Sequence, residues 1–255
     1  MAGSGGAAAA GALDHAARTM AKIVMEIANS PDFDREQIRG EKLTLSQAYC
    51  LLWQNSEDGN VGGRRFGFES NSGATAAVIV DLIALGKVEI EIEPNTTMGV
   101  KNDHYRLKVV DEKPTGTYLD EALFNGILKH HEKHPDKPEK VKSVIFDDIS
   151  QLRSKNYCST ITLDSLVELG ILEMKEKMMG RKYPTVNKGP EESLEKQIRE
   201  VVLQDMKPSS YIRVLLVLAR HADNLMCLED PVLKKHFSKE EYGKAKEKIN
   251  QLVGL

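Results

Sequence analysis

The sequence predicts a mainly α protein, a helical bundle edged by short β-hairpins that each follow a helix–Gly unit. Two observations lead to this fold class. Apolar residues recur at i, i+3 and i+4 along most of the chain, the spacing of amphipathic helices. The phrase LIALGKVEI at residues 82–90 returns as LVELGILEM at 166–174. Each copy is typical of a helix that stops at a glycine before a strand, because glycine takes positive φ without a Cβ clash.

The first 42 residues divide into two parts. Residues 1–13 are Gly/Ala-rich and of low complexity, which predicts a disordered tail. Residues 14–42 carry helical spacing over 14–29 and then a polar loop. A single domain is predicted for 43–255, opening on a helix over 43–53 with Thr44 as its N-cap and Gln47 as the capping-box partner.

The two repeated units predict two hairpins. In the first, a helix over 74–85 stops at Gly86, and strands over 88–93 and 104–110 pair across a turn at 94–97. In the second, a helix over 164–169 stops at Gly170, a strand covers 171–174, a turn covers 180–182 and the chain returns through 183–186. Further helices are predicted at 117–128, 141–152, 191–204, 209–224 and 239–255.

Composition and charge limit the classes of function. The net charge is −3 and the pI about 6.2, so no global field attracts nucleic acid or acidic lipid. A bound anion must therefore be met by a local cluster of Lys and Arg. No window has the 18 or more apolar residues of a membrane span, and the N-terminus lacks the basic region of a secretory signal. Cys50, Cys158 and Cys227 are odd in number and lie in apolar contexts, which predicts buried free thiols in the cytosol.

Catalytic and metal-binding patterns are absent from the sequence. It contains no phosphate-binding P-loop, dinucleotide fingerprint, nucleophile elbow or HExxH motif. His130, His131 and His134 lie in a lysine-rich spacer whose positive charge repels a metal cation. His221 and Asp223 are expected to be a half-buried pair on an apolar helix. The prediction is a protein that is not an enzyme and has neither metal nor cofactor.

Basic and partly apolar stretches are the candidate binding sites. Guanidinium and ammonium groups can receive a phosphate, while an adjacent aromatic ring enters a lipid interface. The candidates for this role are Arg64, Arg65, Phe66, Arg153, Lys155, Arg181 and Lys182. For each, the alternative interpretation is a solvated loop.

Two methionines stand at the predicted hairpin tip of the second unit. Met178 and Met179 are flanked by Lys and Arg, the composition of a shallow membrane wedge in which apolar side chains enter the acyl boundary and cations meet anionic headgroups. The alternative for this pair is packing in the core.

Five stretches, in order, resemble motifs of the Golgi phosphoprotein 3 family. They are LTL at 43–45, DLIALGKV at 81–88, PTGTYLDEAL at 114–123, LVELGIL at 166–172 and LARHAD at 218–223. The resemblance covers most of the chain from residue 43 to residue 255. It implies a helical bundle with a shallow basic pocket for phosphatidylinositol 4-phosphate and a hydrophobic hairpin that dips into the bilayer.

The resemblance also implies partners and a location. The partners are phosphatidylinositol 4-phosphate membranes, the cytosolic tails of Golgi glycosyltransferases and the coatomer coat. The location is the cytosolic face of Golgi membranes, in exchange with the cytosol. The expected function is a peripheral membrane adaptor that retains or sorts Golgi glycosyltransferases in vesicle trafficking.

The sequence departs from the family at the lipid pocket. Phe66 stands where the family has a tryptophan, and Thr75 where it has an arginine. The family has a second pair of arginines in this pocket. Arg153 and, less closely, Lys155 match this pair if a gap of about three residues is allowed before Leu166. Without the gap, Asn156 and Ser159 occupy those positions. The N-terminal arginine cluster that the family uses for coatomer is missing, because residues 1–17 contain no Lys or Arg.

Two rival functions follow from these departures and from the fold. One is a divergent member that acts as a lipid-independent protein-interaction scaffold. The other is nucleic-acid binding, with the helix–hairpin units acting as winged helices. The acidic net charge and the very apolar helix at 74–85 both argue against this function.

Overall fold

A computed structural model describes residues 4–60, 68–97, 100–101, 103–150, 157–177, 180–225 and 232–254. The described part of the chain holds ten α-helices. In chain order they are α1 (Ser4–Ala28), α2 (Arg35–Arg39), α3 (Leu45–Trp53), α4 (Phe68–Ala84), α5 (Asn125–Lys133), α6 (Val141–Ser150), α7 (Cys158–Glu168), α8 (Gly189–Leu203), α9 (Ser210–Asn224) and α10 (Lys239–Val253). A π-helical turn at Asp120–Phe124 leads into α5, and a 3-10 turn at Lys234–His236 precedes α10.

The strands are short and antiparallel, so the mainly α class with edge hairpins is confirmed. They are β1 (Val88–Glu93), β2 (Thr96–Thr97), β3 (Val100–Lys101), β4 (His104–Val109), β5 (Glu139–Lys140), β6 (Lys175–Lys177) and β7 (Gly180–Lys182). Strands β1, β4 and β5 form one sheet in that order, β2 pairs with β3, and β6 pairs with β7.

Helix α1 is longer than its apolar periodicity indicates. It begins at Ser4, so helix covers much of the stretch for which the Gly/Ala composition predicts a disordered tail. Alanine has the highest helix propensity, and a packed helix extends readily into an alanine run. Ala17, Met20 and Val24 are fully buried, where α1 packs against α4, α6 and α9.

Helix α3 lies in the core and is capped as predicted. The Thr44 side chain accepts a hydrogen bond from the Gln47 amide, and the Gln47 side chain accepts one from the Thr44 amide. Cys50 on this helix and Cys158 at the start of α7 are buried free thiols, as expected, while Cys227 lies outside the described residues. Helix α4 begins at Phe68 rather than near residue 74.

Helices α4 and α7 end in the same way, which confirms the repeated helix–Gly unit. Gly86 and Gly170 have φ values of 72° and 67°. The Lys87 amide donates to the Leu82 carbonyl at 2.9 Å, and the Ile171 amide donates to the Leu166 carbonyl at 3.0 Å. This six-to-one bond closes a Schellman motif and satisfies a carbonyl at the end of each helix.

Both helices also reach the first turn of α3. The Asp81 carboxylate on α4 accepts hydrogen bonds from the backbone amides of Leu45 and Ser46 at 2.8 and 2.9 Å. Ser165, the equivalent position on α7, accepts one from the Gln47 side chain at 3.0 Å. Burial raises the pKa of Asp81 to about 6, and this effect outweighs the hydrogen bonds from Leu45 and Ser46, which lower the pKa.

The first hairpin has the predicted strands in a regular register. Val88 pairs with Val109 and Glu93 with His104. The third strand, β5, was not predicted, because a two-residue strand at 139–140 leaves no period-2 pattern to detect.

The second hairpin differs from its prediction. A strand was expected at 171–174 and a turn at 180–182, but an isolated bridge joins Leu172 to Thr185, and β6 and β7 pair Lys175 with Lys182. The chain therefore reverses between Lys177 and Gly180, not at Gly180. Gly180, with φ of 123°, is a strand residue paired with Lys177.

Candidate functional site

The second hairpin presents two faces of different chemistry. Successive side chains of a strand alternate between faces, and directly paired residues share a face. Lys175, Lys177 and Lys182 therefore lie on one side, which we name the outer face, and Glu176 and Arg181 lie on the other. The outer face carries only cations along β6 and β7.

On the outer face Lys175 and Lys177 are exposed to solvent and Lys182 is half-buried, and these charges are scarcely neutralised. Lys175 lies directly opposite Lys182, and this pairing of like charges is unfavourable for the hairpin itself. Lys175 makes an exposed ion pair with Glu173 at 3.0 Å, whereas Lys177 and Lys182 form no ion pair with any residue that the structure describes. The face therefore suits an external anion.

Arg181 belongs to the opposite face, which packs on α7. Its guanidinium forms an ion pair with Asp164 at 2.8 Å, and the Tyr183 hydroxyl donates to the same carboxylate at 2.8 Å. Burial raises the pKa of Tyr183, so its hydroxyl remains protonated. Of the two cations predicted here, Lys182 faces outward and Arg181 fixes the hairpin to its helix.

Exposed apolar side chains surround the base of the second hairpin. Leu169 and Val186 have exposed fractions of 54% and 58%, and Met174 has 37%. The Val186 amide donates to the Ile171 carbonyl at 3.0 Å, which holds Val186 beside the end of α7. A cationic face bordered by exposed apolar residues is the composition of an interfacial surface. Met178 and Met179 lie outside the described residues.

The loop before the first arginine pair is attached to this hairpin. The Tyr183 amide donates to the Gly59 carbonyl at 2.8 Å, and the Thr185 amide donates to the Ser56 carbonyl at 3.2 Å. Gly59 has φ of 70°, and a Cβ there would lie 2.3 Å from the Pro184 nitrogen, so only glycine fits. Arg64, Arg65 and Phe66, which follow this loop, lie outside the described residues.

The N-terminal halves of α4 and α7 meet in a buried polar cluster. Thr75 on α4 and Ser159 on α7 are almost completely buried. The Ser159 hydroxyl donates to the Asn71 side chain, and Thr75 Oγ1 lies 2.5 Å from Asp148 Oδ2. Asp148 Oδ1 also accepts from the Cys158 amide at 2.9 Å.

This cluster bears on the lipid pocket implied by the resemblance. Burial raises the pKa of Asp148, and hydrogen bonds from Thr75 and Cys158 oppose that shift. Its carboxyl group lies at the start of α7, where a helix N-terminus favours an anion. Thr75 and Ser159, which stand at positions where the resemblance implies pocket arginines, therefore bind groups of the protein itself. These groups are the Asp148 carboxyl and the Asn71 side chain, respectively. Arg153, Lys155 and Asn156 lie outside the described residues.

The histidines considered as candidate ligands contact other residues of the chain. The rings of His130 on α5 and of His134, directly after this helix, are 5.1 Å apart, and His131 lies 3.5 Å from Glu112. Within the described ranges no group of three or more His, Cys, Asp or Glu side chains could hold a metal ion. His221 has a pKa lowered by burial.

Lys175 and Lys177 were missed as site residues from the sequence. The signal was present, because four cations and one glutamate occur over residues 175–182. Their common face follows from the pairing of Lys175 with Lys182 and of Lys177 with Gly180, whereas the prediction had a turn at 180–182.

The fold and this surface define a class of protein: a helical domain with paired helix–Gly–hairpin units, one of which presents a cationic face with an apolar border. None of the described helices has the length and apolarity to span a membrane. A family model, Golgi phosphoprotein 3 (GPP34), matches residues 45–252. The chain belongs to the Golgi phosphoprotein 3 family. A search of curated proteins finds no match.

Family membership fixes the broad role. The family consists of non-enzymatic Golgi adaptors, and membership indicates a Golgi-associated protein with a role in protein interaction. Helices α1 and α2 precede the matched segment.

Proposed function

We propose that this protein is a peripheral membrane adaptor that binds phosphatidylinositol 4-phosphate at the cytosolic face of Golgi membranes. There it retains or sorts Golgi glycosyltransferases through their cytosolic tails. The observation that carries the proposal is the outer face of the second hairpin, where Lys175 lies directly opposite Lys182.

The like-charge pair favours an anionic partner. Two lysines opposite each other destabilise an isolated hairpin, and the acid next to this pair is the exposed Glu173. Each Lys near an anionic membrane surface contributes about 1 kcal/mol of binding free energy. Contact with a membrane would therefore turn an unfavourable arrangement into a favourable one, and Leu169 and Val186 would add apolar contact.

The proposed headgroup ligands are next in sequence to residues that contact this hairpin or begin α4 and α7. Arg64, Arg65 and Phe66 follow the loop held by Tyr183 and precede α4. Arg153 and Lys155 precede α7, whose first turn contacts α4 through Ser159 and Asn71. Both segments therefore lead directly into helices whose N-terminal parts are in contact. These anchors support one shared headgroup site with the hairpin.

The tip of the hairpin completes the proposed contact. Met178 and Met179 stand between Lys177 and Gly180, and we assign them to shallow insertion below the headgroups. Coatomer is a further partner implied by the family resemblance, although residues 1–17 offer it no Lys or Arg.

A lipid-independent scaffold is the second candidate function. It is favoured by the cluster around Asp148, in which Thr75 binds the Asp148 carboxyl group and the Ser159 hydroxyl donates to the Asn71 side chain. In this alternative the chain still binds Golgi proteins, but a phosphoinositide contributes nothing to its membrane association.

Vesicle cosedimentation separates the two functions. The vesicles are phosphatidylcholine with or without phosphatidylinositol 4-phosphate, and the test variant carries Lys175→Glu and Lys182→Glu. Two opposed glutamates repel as two lysines do, but Lys175→Glu also removes the exposed ion pair with Glu173, so urea denaturation checks that the variant is folded. We expect the wild type to pellet with the phosphoinositide vesicles and the double variant to bind at least tenfold more weakly.

The control carries Lys244→Glu and Lys246→Glu, at two exposed lysines on α10, and undergoes the same charge change. It should bind as the wild type does. Equal pelleting of the wild type with and without the phosphoinositide would favour the scaffold and reject the lipid-binding proposal.

A further inference from the structure

A cavity separate from the second hairpin lies between α1, the start of β4, β5 and the start of α6. Its volume is about 210 Å³, far above the roughly 30 Å³ that a water molecule occupies in the liquid. The cavity is lined by basic and hydroxyl-bearing side chains from four elements, among them Arg18, His104, Tyr105, Lys140, Lys142 and Ser143.

We propose that this cavity binds the phosphate group of a small phosphorylated molecule. Three permanent cations, Arg18, Lys140 and Lys142, converge on it, and Asp103 is the one carboxylate in its described lining. In a chain with a net charge of −3, such a local cluster is needed to attract an anion.

The donors fit a tetrahedral oxyanion. A phosphate monoester carries about −1.5 to −2 charges at neutral pH and three strongly accepting oxygens. The Arg18 guanidinium can bind two of these oxygens, and the lysine ammonium groups act as point charges from other directions. The Ser143 hydroxyl on α6 adds a neutral donor.

Asp14 controls how many of these cations are free. Its carboxylate forms ion pairs with Arg18 at 2.7 Å and with Lys142 at 2.5 Å. Lys140 has no ion-pair partner in the described part of the chain. Lys140 would therefore meet the ligand first, and Arg18 and Lys142 would be shared between Asp14 and the phosphate.

The position of the cavity gives binding a structural consequence. Arg18 and Asp14 are on α1, which precedes the segment that matches the family model. Lys140 lies in β5, which pairs with β4 and runs directly into α6. A bound phosphate would thus join α1 to the sheet and to α6.

Isothermal titration of the full chain with glycerol 3-phosphate tests the site. We expect saturable binding by the wild type, a dissociation constant raised at least tenfold by Lys140→Glu, and a value within twofold of wild type for Lys246→Glu. Asp14→Asn releases Arg18 and Lys142 and should lower the dissociation constant at least twofold. Lys140→Gln serves as a second variant if Lys140→Glu impairs folding.

A second arm identifies the source of the phosphate. It measures pelleting of the same variants with phosphatidylinositol 4-phosphate vesicles. A response to Lys140→Glu in titration alone supports a soluble ester, and a response in pelleting alone supports a lipid headgroup. The proposal is overturned if Lys140→Glu changes neither. The Lys175→Glu, Lys182→Glu variant should keep its affinity for the soluble ester, so failure of the membrane proposal remains distinguishable.

Discussion

The two hairpins begin at equivalent glycines, but their charges are arranged in opposite ways. In the first hairpin Glu89 lies opposite Lys108, and Glu91 lies opposite Arg106. Ion pairs join Lys108 to Glu91 at 2.8 Å and Arg106 to Glu93 at 2.7 Å. In the second hairpin the corresponding face opposes lysine to lysine.

This difference separates the requirements of folding from those of binding. The first hairpin neutralises its own charges, and its other face packs Val88 and Leu107 into the core. The opposite-charge pairs of its strands are explained by stability alone. The second hairpin keeps a cationic face that lowers its own stability, so its sequence calls for an anion outside the chain.

The largest predicted effect concerns Asp81, whose equivalent in the second unit is the uncharged Ser165. Because burial raises the pKa of Asp81 to about 6, the folded state binds its proton more tightly than the unfolded state does. Its contribution to the unfolding free energy is therefore greatest below about pH 4 and is lost as the pH rises through about 6. The loss should be about 3 kcal/mol in total.

Urea unfolding at pH 4 to 7 measures this effect against Asp81→Asn, which cannot titrate. The stability of the wild type relative to the variant should decrease as the pH rises. A difference that stays constant over this range would contradict the assignment of a buried, proton-binding carboxyl group.

The next effect concerns Asp148, which joins the helices of the two units. Asp148→Ala removes the partner of Thr75 and of the Cys158 amide, both buried. We expect a loss of about 2 kcal/mol in the unfolding free energy. Asp147→Ala, at an exposed neighbouring position on α6, is the control and should change stability by less than about 0.5 kcal/mol. Equal losses in the two variants would show that the cluster does not couple the helices.

The shared helix stop predicts a smaller and equal effect in both units. Gly86→Ala and Gly170→Ala each force a Cβ into positive φ, although neither Cβ would meet another atom within 4 Å. Each should lower the unfolding free energy by about 1 kcal/mol, measured by urea denaturation. A clear inequality would mean that the two Schellman motifs are not equivalent in energy.

Local signals in the sequence predicted the helix ends well. The cap at Thr44 and the stops at Gly86 and Gly170 were predictable, because each depends on one residue type with a specific conformational preference. The second hairpin was misplaced because Gly180 is also a common turn residue, and β5 was missed because its pairing with β4 is nonlocal.

The candidate site was predictable only in part. Lys182 was among the predicted interface cations and lies on the outer face, whereas the ion pair of Arg181 with Asp164 depends on the contact between hairpin and helix. The burial of Thr75 with Ser159 likewise arises from packing between α4 and α7, which no local pattern encodes.

The central claim is that the second hairpin retains its cationic face for binding and not for folding. The single variant Lys182→Glu tests it most directly, because it gives this hairpin the opposite-charge pairing of the first. The account predicts a gain of about 0.2–1 kcal/mol in unfolding free energy together with weaker pelleting with phosphatidylinositol 4-phosphate vesicles. Unchanged pelleting by a stabilised variant would contradict it.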